Sequence, residues 1–232
     1  MKKEAVVISL GGSLIYPESL KKVNEPYMKK FESYVKLLLK KYKVVVICGG
    51  GYPARSYMGP LTGRIKDKME VSIVGVQVTR INALFVNKWF KINDLIPLRT
   101  REVKKRLKKK NLAICGALEV GPNQTSDSNA ANLARVLKAK FVNLTDVNGL
   151  HDKDPKKNKN AKFIKQISYQ DFNKMVSKIK FHNGQHFVLD QTATNIICKN
   201  KIPTAIIKGS NLKDIEKFLK GKNFRGTLIG EL

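Results

Sequence analysis

Two short glycine runs stand where a chain could grip phosphate. Leu10-Gly11-Gly12-Ser13-Leu14 follows one β-branched apolar run, and Cys48-Gly49-Gly50-Gly51 follows another, with Tyr52-Pro53-Ala54-Arg55 opening a helix. Glycine lets the backbone come close to a ligand, and successive N–H groups then bind phosphate oxygens. A helix that starts just after such a loop adds the positive end of its dipole. A tight strand-to-helix turn would also use glycine, but two such loops after neighbouring strands favour a ligand. A third stretch, residues 121–155, joins a polar Gly/Pro-marked loop, an Ala-rich helix, a short β-branched strand and a loop dense in Asp, Asn and Gly. Packing does not require two such loops at the ends of one helix-strand unit, so the stretch points to a polar, phosphate-bearing ligand. The loops match neither G-x-x-x-x-G-K-[ST] nor G-x-G-x-x-G, which argues against a Walker loop and a dinucleotide-binding Rossmann unit.

Loops of this kind need a parallel sheet to hold them. Residues 6–10 and 44–48 read as buried strands, short, β-branched and ended by glycine. Residues 24–41 between them carry Tyr27, Phe31, Tyr34, Val35, Leu38 and Leu39 at helical spacing. That is a β-α-β unit with a right-handed crossover. Residues 71–90 predict a long, largely buried helix. Further strands are expected at 112–115, 141–144, 204–207 and 227–229, and further helices at 126–137, 168–176, 191–200 and 212–219. Residues 152–162 form a lysine/asparagine-rich loop. The alternation predicts an α/β fold: a three-layer α/β/α sandwich with a largely parallel central sheet, in one domain over residues 1–232.

Composition narrows the function classes. The formal charge of +27 invites a nucleic-acid partner, yet only eight of the 45 basic residues are Arg and the charge is spread along the chain. Its one dense run, residues 101–110, suits the solvated face of a helix, and no aromatic or zinc-finger spacing accompanies it. Attraction of anionic nucleotides is the better reading, with nucleic acid an unlikely main partner. No apolar run approaches the roughly 20 residues that span a bilayer, so no membrane role is expected. Residues 5–10 are too short for a signal-peptide core, and the cytosol is the default compartment. Cys48, Cys115 and Cys198 form no C-x-x-C pair; Cys48 and Cys115 end strands, where a buried reduced thiol is expected. His182 and His186 have the i, i+4 spacing of zinc ligands, but the glycine between them opposes a helix.

The motifs, taken in order, carry a resemblance. Gly11-Gly12-Ser13, Gly49-Gly50-Gly51-x-x-Ala54-Arg55 and Gly75-x-x-x-Thr79-Arg80-x-Asn82-Ala83 come first. Thr125-Ser126-Asp127-Ser128-x-Ala130-Ala131, Thr145-Asp146-Val147-Asn148-Gly149 and Asp154-Pro155-Lys156 follow. Together they resemble archaeal-type uridylate (UMP) kinases of the amino-acid kinase superfamily, collinearly over most of the chain. The resemblance implies ATP-dependent phosphorylation of UMP to UDP in pyrimidine nucleotide biosynthesis, with ATP and Mg²⁺, in a cytoplasmic homohexamer. It implies an acceptor lobe over about residues 1–120 and an ATP lobe over about residues 121–232. Gly11 and Gly12 would hold the transferring phosphoryl group, with Asp127 the acidic residue of the site. Gly50, Gly51 and Arg55 would bind the phosphate of UMP, Thr125 would lie near uracil and that phosphate, and Ser72 falls at the ribose position. Ser9, Gly12, Ser13, Thr145, Asp146, Gly149, His151, Asp154 and Lys156 would surround ATP. Asp190 matches an aspartate that begins a helix in these kinases. Phosphoryl transfer needs mostly positioning and charge neutralisation, so such groups suffice without a strong nucleophile.

The chain departs from that pattern at several places. Ser9 stands where many superfamily members have lysine, leaving Lys156 and Arg80 as candidate cationic stabilisers. Ser72 stands where the family has an aspartate for the ribose hydroxyls, with Asp67 or Glu70 as distant substitutes. His151 replaces a tyrosine or phenylalanine by the adenine, and Asp146 and Asn148 exchange the usual acid/amide order. Two alternatives stay open. One is another phosphate-acceptor kinase, such as an isopentenyl phosphate kinase, although Arg55 favours UMP over the histidine-bearing loop of that group. The other is a degenerate nucleotide-binding or RNA-associated protein without activity.

Overall fold

The computed structural model describes residues 3–120, 125–155, 157–178 and 189–231. Its centre is a seven-stranded sheet in the order β3-β2-β1-β4-β8-β9-β7. The strands are β1 (Ala5–Leu10), β2 (Lys43–Cys48), β3 (Leu112–Cys115), β4 (Lys140–Thr145), β7 (Gln166–Ile167), β8 (Thr204–Lys208) and β9 (Thr227–Ile229). The first five in spatial order, β3 to β8, run parallel, and β9 pairs antiparallel with β8. A separate two-stranded hairpin joins β5 (Leu150–His151) to β6 (Phe163–Ile164) around the lysine/asparagine-rich loop.

The strands are apolar on both faces because both faces are covered. Val6, Ile8, Val44, Val46 and Val142 point into one core, with Phe31 and Val35 of α2 (Glu25–Leu38), Ala83 and Val86 of α4 (Lys68–Trp89) and Phe218 of α9 (Lys213–Leu219). Val7, Val45, Ile47 and Phe141 point into the other. There they meet Val103 of α5 (Thr100–Lys109), Leu133 of α6 (Ser126–Leu137), Phe172 of α7 (Tyr169–Ser177) and Ile197 of α8 (Gln191–Lys199). This is the expected three-layer sandwich. Cys48 and Cys115 are buried free thiols at strand ends.

Helix α4 is long and apolar enough by composition to cross a membrane. Its buried side nevertheless carries Thr79, Asn82 and Asn87 and packs on the sheet, as a core helix does. The sequence missed the short helix α1 (Gly12–Ile15) and the full extent of α3 (Gly51–Thr62), because Gly59, Pro60 and Gly63 break the helical pattern there. It also missed β5, β6 and β7, two-residue strands too short to show a period.

Candidate active site

Strand order reverses between β1 and β4: the chain runs outward from β1 to β3, then returns to lay β4 on the other side of β1. A crevice opens at the carboxyl ends of strands at such a point, and ligands bind there in open α/β sheets. The loop after β1 lies in that crevice, with the Gly11 amide donating to the Leu144 carbonyl at the end of β4 (3.1 Å).

The two glycine loops are packed backbone against backbone. A Cβ on Gly12 would sit 2.3 Å from the Gly51 nitrogen and 2.6 Å from the Gly49 oxygen, so no other residue fits without moving the second loop. Gly51 adopts φ +64°, in the left-handed region that glycine enters at no steric cost. The amide of Gly49 donates to the Leu10 carbonyl, and the buried Asn82 of α4 donates from Nδ2 to the Gly49 (2.7 Å) and Gly50 (3.3 Å) carbonyls. Gly50 and Gly51 thus open α3 with their amides left for a ligand, while an asparagine behind them holds their carbonyls. Asn82 stood inside the quoted motif without a role; an amide on the buried side of an apolar helix was the signal, because a buried polar group must find a partner.

Arg55, opening the second turn of α3, lies 3.5 Å from the exposed Glu18 carboxylate, a loose surface pair open to exchange for a phosphate. Arg80 lies two residues before Asn82 on α4, its Nε donating to the Ala117 carbonyl in the loop after β3 (3.3 Å). Thr79 accepts from the Ala117 amide, so α4 anchors this loop as well as the triple glycine. Ser72 is half-buried two turns earlier on α4, with its hydroxyl donating to the Lys68 carbonyl (2.8 Å). Asp67 caps α4 through the Met69 amide, which explains its carboxylate without a ligand.

The capping of α6 decides what Asp127 does. Thr125 is the N-cap, its Oγ1 accepting from the Asp127 and Ser128 amides while Ser128 Oγ accepts from the Thr125 amide. This reciprocal box frees the Asp127 carboxylate, whose Oδ1 accepts from the Ser9 hydroxyl at 2.7 Å. Ser9 is buried at the end of β1 and meets the site through that carboxylate. Thr125 also donates to Asp190, the N-cap of α8, whose other oxygen accepts from the Ala193 amide (2.8 Å). Burial raises the Asp127 carboxyl to about 7, with repulsion from Asp190 adding and the Ser9 hydrogen bond opposing. Asp190 is raised for the same first reason, against its bonds from Thr125 and the α8 amides. Two aspartates on different helix starts, both raised from the ordinary carboxylate value, make an acidic pair that a cation would relieve. Asn129 completes the frame: its Oδ1 accepts from the Leu118 and Glu119 amides, and its Nδ2 donates to the Thr125 carbonyl.

The segment after β4 forms the crevice's other wall. Thr145 ends β4 beside Lys208 of β8, and its hydroxyl donates weakly to Asp146 (3.4 Å). Gly149 has φ +143°, where a Cβ would meet Thr227 Oγ1 at 2.6 Å. His151 is held by the Gly149 carbonyl (3.2 Å) and meets Phe163 edge-on at 5.6 Å across the hairpin, a surface on which an aromatic ring can stack. Asp154 begins the turn, its carbonyl accepting from the Lys157 and Asn158 amides. Ser13 lies in α1 against Gly51. Lys156, His182 and His186 lie outside the described residues, and among the described residues no cluster of three metal-ligating side chains occurs.

Comparison with known proteins agrees with this architecture. The amino acid kinase family matches residues 4–208. The chain is similar to the uridylate kinase of Methanoregula boonei, 32% identical over 94% of this chain and 93% of that one. It is also similar to the uridylate kinase of Methanobrevibacter smithii, 29% identical over 97% and 99%. The crystal structure of uridylate kinase from Archaeoglobus fulgidus superposes with a TM-score of 0.80 at 30% identity, covering 97% of this chain and 99% of that one. UMP kinase from Ureaplasma parvum, at 21% identity and a TM-score of 0.77 over the whole of both chains, shares the fold. With these matches running the length of the sheet and of both glycine loops, the chain belongs to the amino acid kinase family.

Proposed function

We propose that this protein is a nucleoside monophosphate kinase that transfers the γ-phosphoryl group of ATP to UMP, giving UDP and ADP. The observation that carries this reading is the crevice itself. Two interlocked glycine loops face an acidic pair across the carboxyl ends of β1 and β4, in a chain whose relatives over nearly its full length are uridylate kinases. An oxygen of the UMP phosphate attacks the γ-phosphorus, and the bond from that phosphorus to the β-bridging oxygen breaks, leaving ADP. Gly50, Gly51 and Arg55 bind the UMP phosphate, and the planar guanidinium of Arg55 exchanges Glu18 for two phosphate oxygens. Backbone amides around Gly11 and Gly12 receive the transferring group, where fixed dipoles stabilise spreading negative charge. Thr125 stands between the acceptor phosphate and the acidic pair. Ser13, Thr145, Asp146, Gly149 and Asp154 line the ATP half, with His151 beside adenine. Arg80 and Lys156 are the cations proposed for the transferring charge, since Ser9 holds Asp127 instead.

Mg²⁺ fits this site, because Asp127 and Asp190 give it hard oxygens from side chains that otherwise face each other, and Mg²⁺ usually takes one or two carboxylates plus phosphates. When bound it would neutralise phosphate charge. The acceptor lobe is assigned to about residues 1–120 and the ATP lobe to about residues 121–232, in a cytosolic enzyme. A homo-oligomer, a hexamer by resemblance, is supported by Leu84, Leu95 and Leu98, exposed apolar residues lining one hollow beside α4. A coupled ADP-release assay with UMP, CMP, AMP and isopentenyl phosphate tests the reading. Turnover with UMP is expected; turnover with isopentenyl phosphate alone would transfer the site to that acceptor, and none with any acceptor would sink the kinase reading.

A further inference from the structure

A large hollow lies away from the crevice, at the opposite edge of the sheet. It encloses about 850 Å³, within the range of small-molecule sites, where β1, β2, β4 and β8 begin and α5, α6 and α8 end. Eight of its lining residues are cations and one, Glu4, is an acid. The chain as a whole has 45 basic residues against 18 acidic ones, so this ratio exceeds the general lysine excess.

Part of that charge has a structural reason. Helix carboxyl ends are negative and leave carbonyls unpaired, and three lysines answer them. Lys3 donates to Leu39 at the end of α2 (2.6 Å), Lys43 to Leu107 in α5 (2.6 Å) and Lys140 to Leu219 in α9 (2.8 Å). With these three spoken for, Lys104 and Lys108 of α5, Arg135 and Lys138 at the end of α6, and Lys201 after α8 still face the same hollow, all exposed. Lys138 and Lys201 stand at φ +51° and +48°, positions where glycine is the usual residue after a helix and a side chain carries a steric cost. Beneath the cations the wall is apolar, with Leu107, Ala139 and Ile202 buried and Tyr42 half-buried.

We propose that this hollow is a second anion site that binds a compact polyphosphate, free or carried on a nucleoside, away from the candidate catalytic crevice. Cations converging on a concavity focus the field on a small, multiply charged ligand, whereas a nucleic-acid strand is tracked by a basic groove that continues across the surface. The apolar wall and Tyr42 give a base somewhere to lie. The site is independent of the kinase reading, since neither its residues nor its edge of the sheet take part in the crevice.

Calorimetry on the full chain with AMP-PNP and with inorganic tripolyphosphate tests it, using the double variant Lys138→Gly/Lys201→Gly. Glycine relieves the left-handed backbone at both positions, so the variant is expected to melt no lower than the wild type while losing two cations. The expected result is two AMP-PNP molecules per wild-type chain, one of them weakened about tenfold in the variant with UMP turnover unchanged. Equal weakening of tripolyphosphate also supports the site and shows that the base is not read. AMP-PNP binding that ignores the variant, whether one or two molecules per chain, overturns the proposal, whereas a single molecule weakened by the variant keeps this site and counts against the crevice. So does a single-stranded RNA 20-mer that displaces AMP-PNP from this site and itself depends on Lys138 and Lys201, which would make the hollow a nucleic-acid surface.

Discussion

At the scale of single residues, Asp127 holds the most unusual state. Its carboxyl, raised to about 7 from an ordinary 3.8, keeps a proton in the fold that the unfolded chain has already released. This group's contribution to stability is therefore full only below the ordinary 3.8 and is lost progressively as the pH rises from there to about 7. Asp127→Asn is expected to raise the melting temperature of the nucleotide-free protein at pH 8 and to raise it clearly less at pH 5.5, partway through that window. An equal shift at both pH values would show that charge is not the cause. Ser72 is the converse case, a hydroxyl already donating to its own helix where a carboxylate is expected. Ser72→Asp is expected to lower KM for UMP severalfold with kcat little changed, because a carboxylate accepts from both ribose hydroxyls. An unchanged KM would mean that another group already holds the ribose. The sequence marked both residues, but Asp127's freedom from capping was decided by Thr125, two positions away, through hydrogen bonds that spacing does not reveal.

At the scale of elements, the site depends on the fit of loops to helix α4. A methyl group on Gly12 cannot be placed without pushing the triple glycine aside. Gly12→Ala is expected to cut kcat by about 100-fold, the order of loss that a displacement near 1 Å produces, while circular dichroism still reports a folded chain. Retained activity would show that the loops are not coupled. Asn82→Ala leaves two loop carbonyls without their buried donor, at about 1–3 kcal/mol, and is expected to lower the melting temperature and raise KM for UMP. Asn82→Asp, of the same shape but without the donor, should do no better. Most elements were legible because their sheet is buried on both faces and reads as β-branched runs ended by glycine. The two-residue strands and α1 were not, since each is made by pairing or loop contact and not by its own periodicity.

At the scale of the whole molecule, charge and exposed apolar surface make separate claims. Eight cations line the hollow at the amino edge of the sheet, and the acidic pair lies at the carboxyl edge. Leu84, Leu95 and Leu98 remain exposed beside α4, with Leu95 85% accessible. The pair Leu84→Glu/Leu95→Glu is expected to shift the protein to a smaller species in size-exclusion chromatography with light scattering. An unchanged mass would place self-association elsewhere or exclude it.

The sequence by itself determined the layers, the order of most strands and helices, and the two glycine loops, because each depends on local period and on the few residues that tolerate tight backbone. It also carried the family, through motifs whose order survives where single residues change. Only the tertiary structure decided that β4 returns beside β1 to open the crevice, and that Ser9 bonds to Asp127 across 118 positions of chain. It alone showed that Asn82 holds the triple glycine and that scattered lysines meet in one hollow. Those contacts join residues far apart in the chain, and local sequence has no register for what strand pairing and helix packing bring together.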